Sequence, residues 1–393
     1  MKLGTKRTLL GVAGTALAWS LAVVMVSGQA APVAAPAASG QKPLLAEQVF
    51  KNVQVLRGTT VQEFMGAMGN FSAALGMSCE DCHKADDRNW DGFAAENPRK
   101  QMARRMVLMM QQINRANFGG RQMVTCYGCH RGADKPKPTV SFEDVYGGFP
   151  PNNPPDIIEQ EPSAPTADSV LDKYLTAVGG AQRLAALKSY SATGTSVGYG
   201  PEAEPRPVEV FATAPNRRSV IIHTTSGDST YNFDGTTAWY AAPYRPVPVL
   251  ELTGQDFDGA KLDGVLGFPA GVKTIADKWR VGRPAYIDGK ELTHVQGTMP
   301  TGVTVSLYFD TETNLLVRQL RLSESPAGRI PTQVDYEDYR DVAGVKIPFK
   351  WTMSGINGRD TYEIAQMQPN VAVPATRFAK PAPPAAPVVR PVR

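Results

Sequence analysis

Two short motifs, Cys79-Glu-Asp-Cys82-His83 and Cys126-Tyr-Gly-Cys129-His130, limit what this chain can become, and between them they use all four of its cysteines. Both read C-x-x-C-H, the pattern for covalent attachment of haem c. Two thiols three positions apart on a helical turn reach the two vinyl groups of one haem. The adjacent histidine then projects beneath the ring and ligates the iron. Two of the chain's four histidines stand directly after the cysteine pairs. Paired cysteines also build structural zinc sites and redox dithiols. A zinc site needs no histidine after both pairs, and a thioredoxin-type dithiol belongs in a βαβ context that is missing here. No cysteine is left for a disulfide elsewhere.

The surroundings suit an exported protein. Lys2, Lys6 and Arg7 precede an apolar run from about Leu9 to Val26, and small residues follow through Ala30. This predicts a signal peptide over 1–30 and a chain that works in the periplasm or outside the cell. The competing reading is an uncleaved membrane anchor, since the run approaches the ~20 residues of a spanning helix. Gly11, Gly14, Thr15 and Ser20 dilute it. A net charge of +4 over 393 residues gives no ground for a nucleic-acid partner.

Residues 31–44 are rich in Ala and Pro and read as a disordered lead-in. A methionine-rich, helix-patterned region covers 45–140. One helix is predicted from about Thr60 to Leu75, capped by Thr59 or Thr60. A second starts at Asn97-Pro98 and ends at Gly119-Gly120. Residues 141–167 contain Phe149-Pro150-Pro151 and Asn153-Pro154-Pro155 and read as a Pro-rich linker. The part from 168 to 373 opens with a helix capped by Asp168 or Ser169, then a short helical run over 182–187, and turns to strand-like alternation. Asp288-Gly289 predicts a hairpin turn, and 310–314 another. Residues 374–393 read as a disordered tail.

The distal iron ligands must come from elsewhere. His223 and His294 lie far along the chain and read as ordinary strand residues. Methionine is concentrated near the motifs, at 65, 68, 77, 102, 106, 109, 110 and 123. Most of these are core filler, and at most two are ligands. A Met/His pair raises the potential and closes the iron to oxygen, as electron transfer requires. Between Lys84 and Pro138 eleven basic residues face five acidic ones. Arg104, Arg105 and Arg131 are candidates to pair with haem propionates; a solvated basic face accounts for them equally well, and such a face would also steer an acidic redox partner.

Three stretches carry a family likeness: Leu75-Gly76-Met77-Ser78 with the first motif; Ala103-Arg104-Arg105-Met106 with Ile113-Asn114; and Val124-Thr125 with the second motif and Arg131-Gly132. Over about 48–138 the chain resembles the multihaem cytochrome subunit of photosynthetic reaction centres. In that family each haem unit is a methionine-bearing helix, a turn and a helix bearing C-x-x-C-H. The resemblance implies Met106 as a distal ligand of the second haem and Met68 as that of the first, with Met65 as the alternative. The family's subunit carries four haems, whereas this chain has two motifs and an added sheet-forming part. That part is similar to periplasmic lipoprotein-carrier and sorting proteins, on Val178-Gly179-Gly180, Phe233-Asp234-Gly235 with Trp239, and Leu307-Tyr308-Phe309-Asp310. This likeness implies a curved antiparallel sheet, half-barrel-like, beside helices.

The expected fold is therefore multidomain: an α-helical diheme cytochrome c domain, then an α+β domain. The expected function is single-electron transfer between donor and acceptor proteins, with a membrane redox complex as one candidate partner. Cys79, Cys82, Cys126 and Cys129 would anchor two haem c groups, and His83 and His130 would be the proximal ligands. Two other readings compete: a diheme peroxidase with an open iron, and a sheet that binds lipid, quinone or another hydrophobic ligand while the haems sense redox state. Trp239, Trp279, Phe309 and Trp351 read as core rather than as a ligand box.

Overall fold

The computed structural model describes residues 42–84, 90–136, 138–139, 157–198, 204–243, 245–356 and 358–383. The expected signal segment, nearly all of the lead-in and the Pro-Pro part of the linker lie outside these. Among the described residues no helix is long and apolar enough to cross a membrane.

The N-terminal helices start and stop on the expected capping chemistry. A single turn, α1 (Ala46–Val49), is followed by α2 (Val61–Leu75). Thr60 opens α2 with a capping box: its hydroxyl accepts from the Glu63 N–H at 3.2 Å, and the Glu63 carboxylate accepts from the Thr60 N–H at 2.8 Å. Asn97 caps α3 (Pro98–Phe118), Pro98 takes its first position, and Gly119 ends it in a left-handed conformation. The second motif forms the short helix α4 (Cys126–His130).

Next come α5 (Ala167–Ala177) and α6 (Gly180–Ala186). The cap of α5 is Thr166, whose hydroxyl accepts from the Ser169 N–H, so the helix starts before the expected Asp168 or Ser169. Six strands follow: β1 (Ser189–Gly198), β2 (Arg206–Thr213), β3 (Arg217–Thr224), β4 (Gly227–Phe233), β5 (Ala238–Ala241) and β6 (Val249–Leu252). A further helix, α7 (Gly254–Gly267), was not expected. Eight strands complete the sheet: β7 (Lys278–Val281), β8 (Ala285–Ile287), β9 (Lys290–Thr298), β10 (Thr304–Asp310), β11 (Leu316–Ser325), β12 (Gly328–Val342), β13 (Val345–Gly355) and β14 (Gly358–Pro369).

The strands form one open antiparallel sheet in the order β6-β5-β4-β3-β2-β1-β14-β13-β12-β11-β10-β9-β7, with β8 paired to β9. The expected antiparallel sheet with accompanying helices is thus present. Asp288 and Gly289, both at positive φ (50° and 78°), make the tight turn between β8 and β9. On one side Leu171 and Tyr174 from α5, Val178 just after it, and Leu262 and Val265 from α7 pack with Val305, Leu307, Phe309 and Val334. Along β2 the alternation is clean: Val208, Val210 and Ala212 join this core, while Phe211 belongs to a cluster with Ile221 and Phe378.

Two stretches are packed where the sequence suggests loose chain. The stretch expected to end the linker is tied to the sheet: Ile158 is buried and its N–H donates to Gln296 Oε1 at 3.0 Å, while Gln160 Oε1 accepts from the Val281 N–H at 2.9 Å. The expected disordered tail begins as a packed segment. Phe378 is 1% exposed, Arg377 lies over the Phe211 ring and Lys380 over the Trp239 ring. Within α7, Gly264 stands where the helix runs close to the chain just before β3. A Cβ at Gly264 would sit 2.2 Å from the Asn216 carbonyl oxygen.

Of the aromatics, Phe309 and Trp351 are buried, Trp279 and Trp239 only partly. A cavity lined by Tyr190, Val210, Arg218, Trp351 and Ile364 measures about 60 Å³, small against the roughly 300 Å³ at which ligand pockets begin.

Candidate haem-binding sites

The first motif follows directly from the end of α2. Ser78 caps a 3-10 turn over Cys79–Asp81, its N–H and hydroxyl both donating to the Asp81 carboxylate at 2.9 and 3.0 Å. The His83 N–H donates to the Cys79 carbonyl at 2.9 Å, so Cys79, Cys82 and His83 share one tight turn. The start of α3 braces it: Asn97 Nδ2 donates to the Cys82 carbonyl at 2.6 Å, and Arg99 to the Asp81 carbonyl at 3.0 Å. His83 stacks on the Phe93 ring, centroids 4.8 Å apart, and its Nδ1 is 2.9 Å from the Phe93 carbonyl.

The second motif is a true helical turn. Thr125 Oγ1 accepts from the Gly128 N–H at 3.1 Å, and Arg131, left-handed at φ 50°, closes the turn. His130 Nδ1 is 3.0 Å from the Ala133 carbonyl. The preceding loop hangs on Asn114 of α3, which is 5% exposed. Its Nδ2 donates to the Val124 carbonyl at 2.7 Å, and its Oδ1 accepts from the N–H groups of Met123 and Val124 at 3.0 and 2.9 Å.

Both histidines follow one rule. A carbonyl oxygen only accepts, so Nδ1 is the protonated nitrogen in each, and Nε2 carries the lone pair that a metal needs. Burial pulls the His83 pKa down against the opposing Phe93 hydrogen bond, with Lys100 adding to the drop, so the ring is neutral near pH 7. All four cysteines are free thiols, two of them exposed. Burial pushes the Cys126 thiol up to about 11 and raises that of Cys82, so neither is a reactive dithiol nucleophile. Among the described residues no three His, Cys, Asp or Glu side chains converge as a metal site. This donor set fits haem c: two thiols and one imidazole with Nε2 free of a hydrogen on each turn, with exposed apolar side chains (Met109, Met123, Tyr127) near the second motif or on the helix leading to it.

The other candidates fall unevenly. Met65, Met68 and Met106 are half-buried. Met68 packs on the cluster of Ala46, Val53, Leu56, Ala67, Val107 and Ala327, with Cys126 against the same cluster. Met65 and Met106 are not among the side chains packed there. Arg104 is paired with Glu96 at 2.7 Å, and Arg105 bonds the Met102 sulfur at 3.6 Å. Arg131 is exposed and serves as the cap of α4. His223 lies 2.8 Å from Asp228, and His294 is buried on Tyr308, both within strands. The carbonyls of Phe93 and Ala133 were not foreseeable, because main-chain acceptors carry no side-chain signal. Asn114 had one: a buried polar residue in a helix where stronger formers abound.

Residues 5–150 match the family model of the photosynthetic reaction centre cytochrome C subunit. The photosynthetic reaction center cytochrome c subunit of Rubrivivax gelatinosus is 38% identical over 116 residues, 28% of this chain and 29% of the relative's length. Among solved structures, a LolA superfamily protein from Nitrosomonas europaea is 16% identical with a TM-score of 0.38, covering 55% of this chain and 99% of its own. A putative outer membrane lipoprotein-sorting protein domain from Vibrio parahaemolyticus is 10% identical with a TM-score of 0.38, covering 53% and 97%. The stretch that holds the two motifs and their flanks is thus the part of the chain that is similar to the cytochrome c subunit of photosynthetic reaction centres.

Proposed function

We propose that the chain is a diheme c-type cytochrome that passes single electrons between protein partners outside the cytoplasm, with residues 45–140 as the haem-carrying part. The observation that carries this reading is the repeated imidazole arrangement, Nδ1 on a main-chain carbonyl at 2.9 Å in His83 and 3.0 Å in His130. Haem iron, once bound, supplies the one-electron exchange. The protein's part is attachment and tuning. Cys79 and Cys82 would hold one haem by thioether bonds to its vinyl groups, each thiol hydrogen going to the neighbouring vinyl carbon, and Cys126 and Cys129 would hold the other. His83 and His130 would offer Nε2 as iron ligands, with the Phe93 and Ala133 carbonyls fixing the imidazole rings. Met106 would be the further ligand at the second haem. For the first, Met68 is the family match, while Met65 is not tied to the core cluster; a methionine in that place excludes water and peroxide.

Arg104, Arg105 and Arg131 remain the candidates for propionate contacts, Arg104 being already paired with Glu96. The partners are an electron donor and an acceptor, with a membrane redox complex as one of them. The test is a potentiometric titration of the exported protein followed by optical spectra. Two one-electron waves with low-spin c-type bands, and no peroxide turnover, support the reading. A high-spin centre that turns over peroxide would replace it with the peroxidase reading.

A further inference from the structure

The turn between β11 and β12 sits against the second haem motif, far from it in sequence. Ala327, at the tip, is 0% exposed and belongs to the N-terminal core cluster with Ala67 and Val107, against which Cys126 packs. The Cys126 N–H, at the first position of α4, donates to the Ala327 carbonyl at 3.3 Å. A first-turn amide has no partner within its own helix, so the hairpin supplies one. Gln122 Nε2 donates to the Ser325 carbonyl at 3.0 Å, just before the motif. On the other flank Asn70 of α2, 6% exposed, donates from Nδ2 to the Arg329 carbonyl at 3.3 Å.

The fit is close. A Cβ at Gly328 would lie 2.9 Å from Asn70 Nδ2 and 3.3 Å from Thr125 Cβ, and one at Gly66 would lie 2.6 Å from Ile330 Cδ1. The turn braces itself as well, with Ser325 Oγ donating to the Gly328 carbonyl at 2.7 Å. The hairpin thus touches both the helix that carries Met65 and Met68 and the turn that carries Cys126, Cys129 and His130.

We propose that the β11–β12 hairpin is a clamp that positions the second haem motif, so that the sheet sets the environment and potential of that haem. This rests on the diheme reading. Residues 325–328 act through Cys126 and α2 rather than by touching iron, which makes them positioning residues. Loosening the clamp admits water beside the haem, which favours the ferric state and lowers the midpoint.

The test uses the exported full-length chain carrying Gly328→Ala or Gln122→Ala. Gly289→Ala is the control: it adds a methyl at another positive-φ hairpin glycine with nothing within 4 Å. The clamp predicts that both test variants keep two haems per chain, that one wave moves to lower potential while the other stays, and that the control moves neither. The wave that moves should be the one that Met106→Ala also moves. Unchanged midpoints in both test variants, or equal shifts of both waves, would overturn the clamp and leave electron transfer standing. If the parent chain carries no haem, the diheme reading fails first. The clamp is then judged by thiol alkylation: Cys126 should label several-fold faster in Gly328→Ala than in the parent, with Cys79 and Cys129 as internal references. Equal labelling would overturn it.

Discussion

His83 and His130 sit in differently shaped turns, one 3-10 and one α-helical, yet each directs Nδ1 at a main-chain carbonyl. The C-x-x-C-H pattern foretells the residues, but the choice of nitrogen is written in the loops that follow, where Phe93 and Ala133 offer only their backbones. Two predictions belong to this scale. Met106→Ala leaves both haems attached but turns one of them high-spin and lowers its potential, read in the ferric spectrum and by titration. An unchanged low-spin spectrum would remove Met106 from the iron.

His294 gives the second. Burial on Tyr308 drops its pKa to about 4, and Nε2 has no partner. The unfolded chain binds this proton below about 6.5, whereas the folded chain resists it until about 4. The group's contribution is therefore fully present above pH 6.5 and is lost as pH falls to about 4, by at most about 3 kcal/mol. Denaturant unfolding at several pH values should show a shallower acid slope in His294→Phe than in the parent. Parallel slopes would contradict it.

Elements were legible in the sequence where local chemistry defines them. Thr60 with Glu63, and Asn97-Pro98 with Gly119, mark α2 and α3 almost to the residue. Asp288-Gly289 marks its hairpin. What stayed hidden depends on distant partners. Helix α7 was not expected, and the approach of Asn216 to Gly264 leaves no local signal. The contacts of Ser325-Pro326-Ala327-Gly328 lie some two hundred positions earlier in the chain. Two element-scale predictions follow. Gly264→Ala should destabilise the fold by about 1–3 kcal/mol through overpacking against that carbonyl. Asn114→Ala should cost about 1–3 kcal/mol, since it strands the Val124 N–H and carbonyl that the amide holds. Denaturant midpoints check both, and a change within a few tenths of a kcal/mol would mean that the close approach or the bridge matters little.

At the scale of the whole molecule, residues 38–393 form one contact unit, with the helical part bonded to the sheet at the β11–β12 turn. The sheet closes over its own C-terminal stretch: Phe378 fills the space between Phe211 and Ile221. Phe378→Ala should cost about 3–5 kcal/mol, where a free tail would cost nothing. The central claim is covalent haem on both motifs. Its most direct test is the intact mass of the chain exported into a periplasm with haem-attachment machinery, beside a variant in which Cys126 and Cys129 are both alanine. The account predicts a gain of two haem masses in the parent and one in the variant. A parent mass without haem, or the same gain in both proteins, would contradict it.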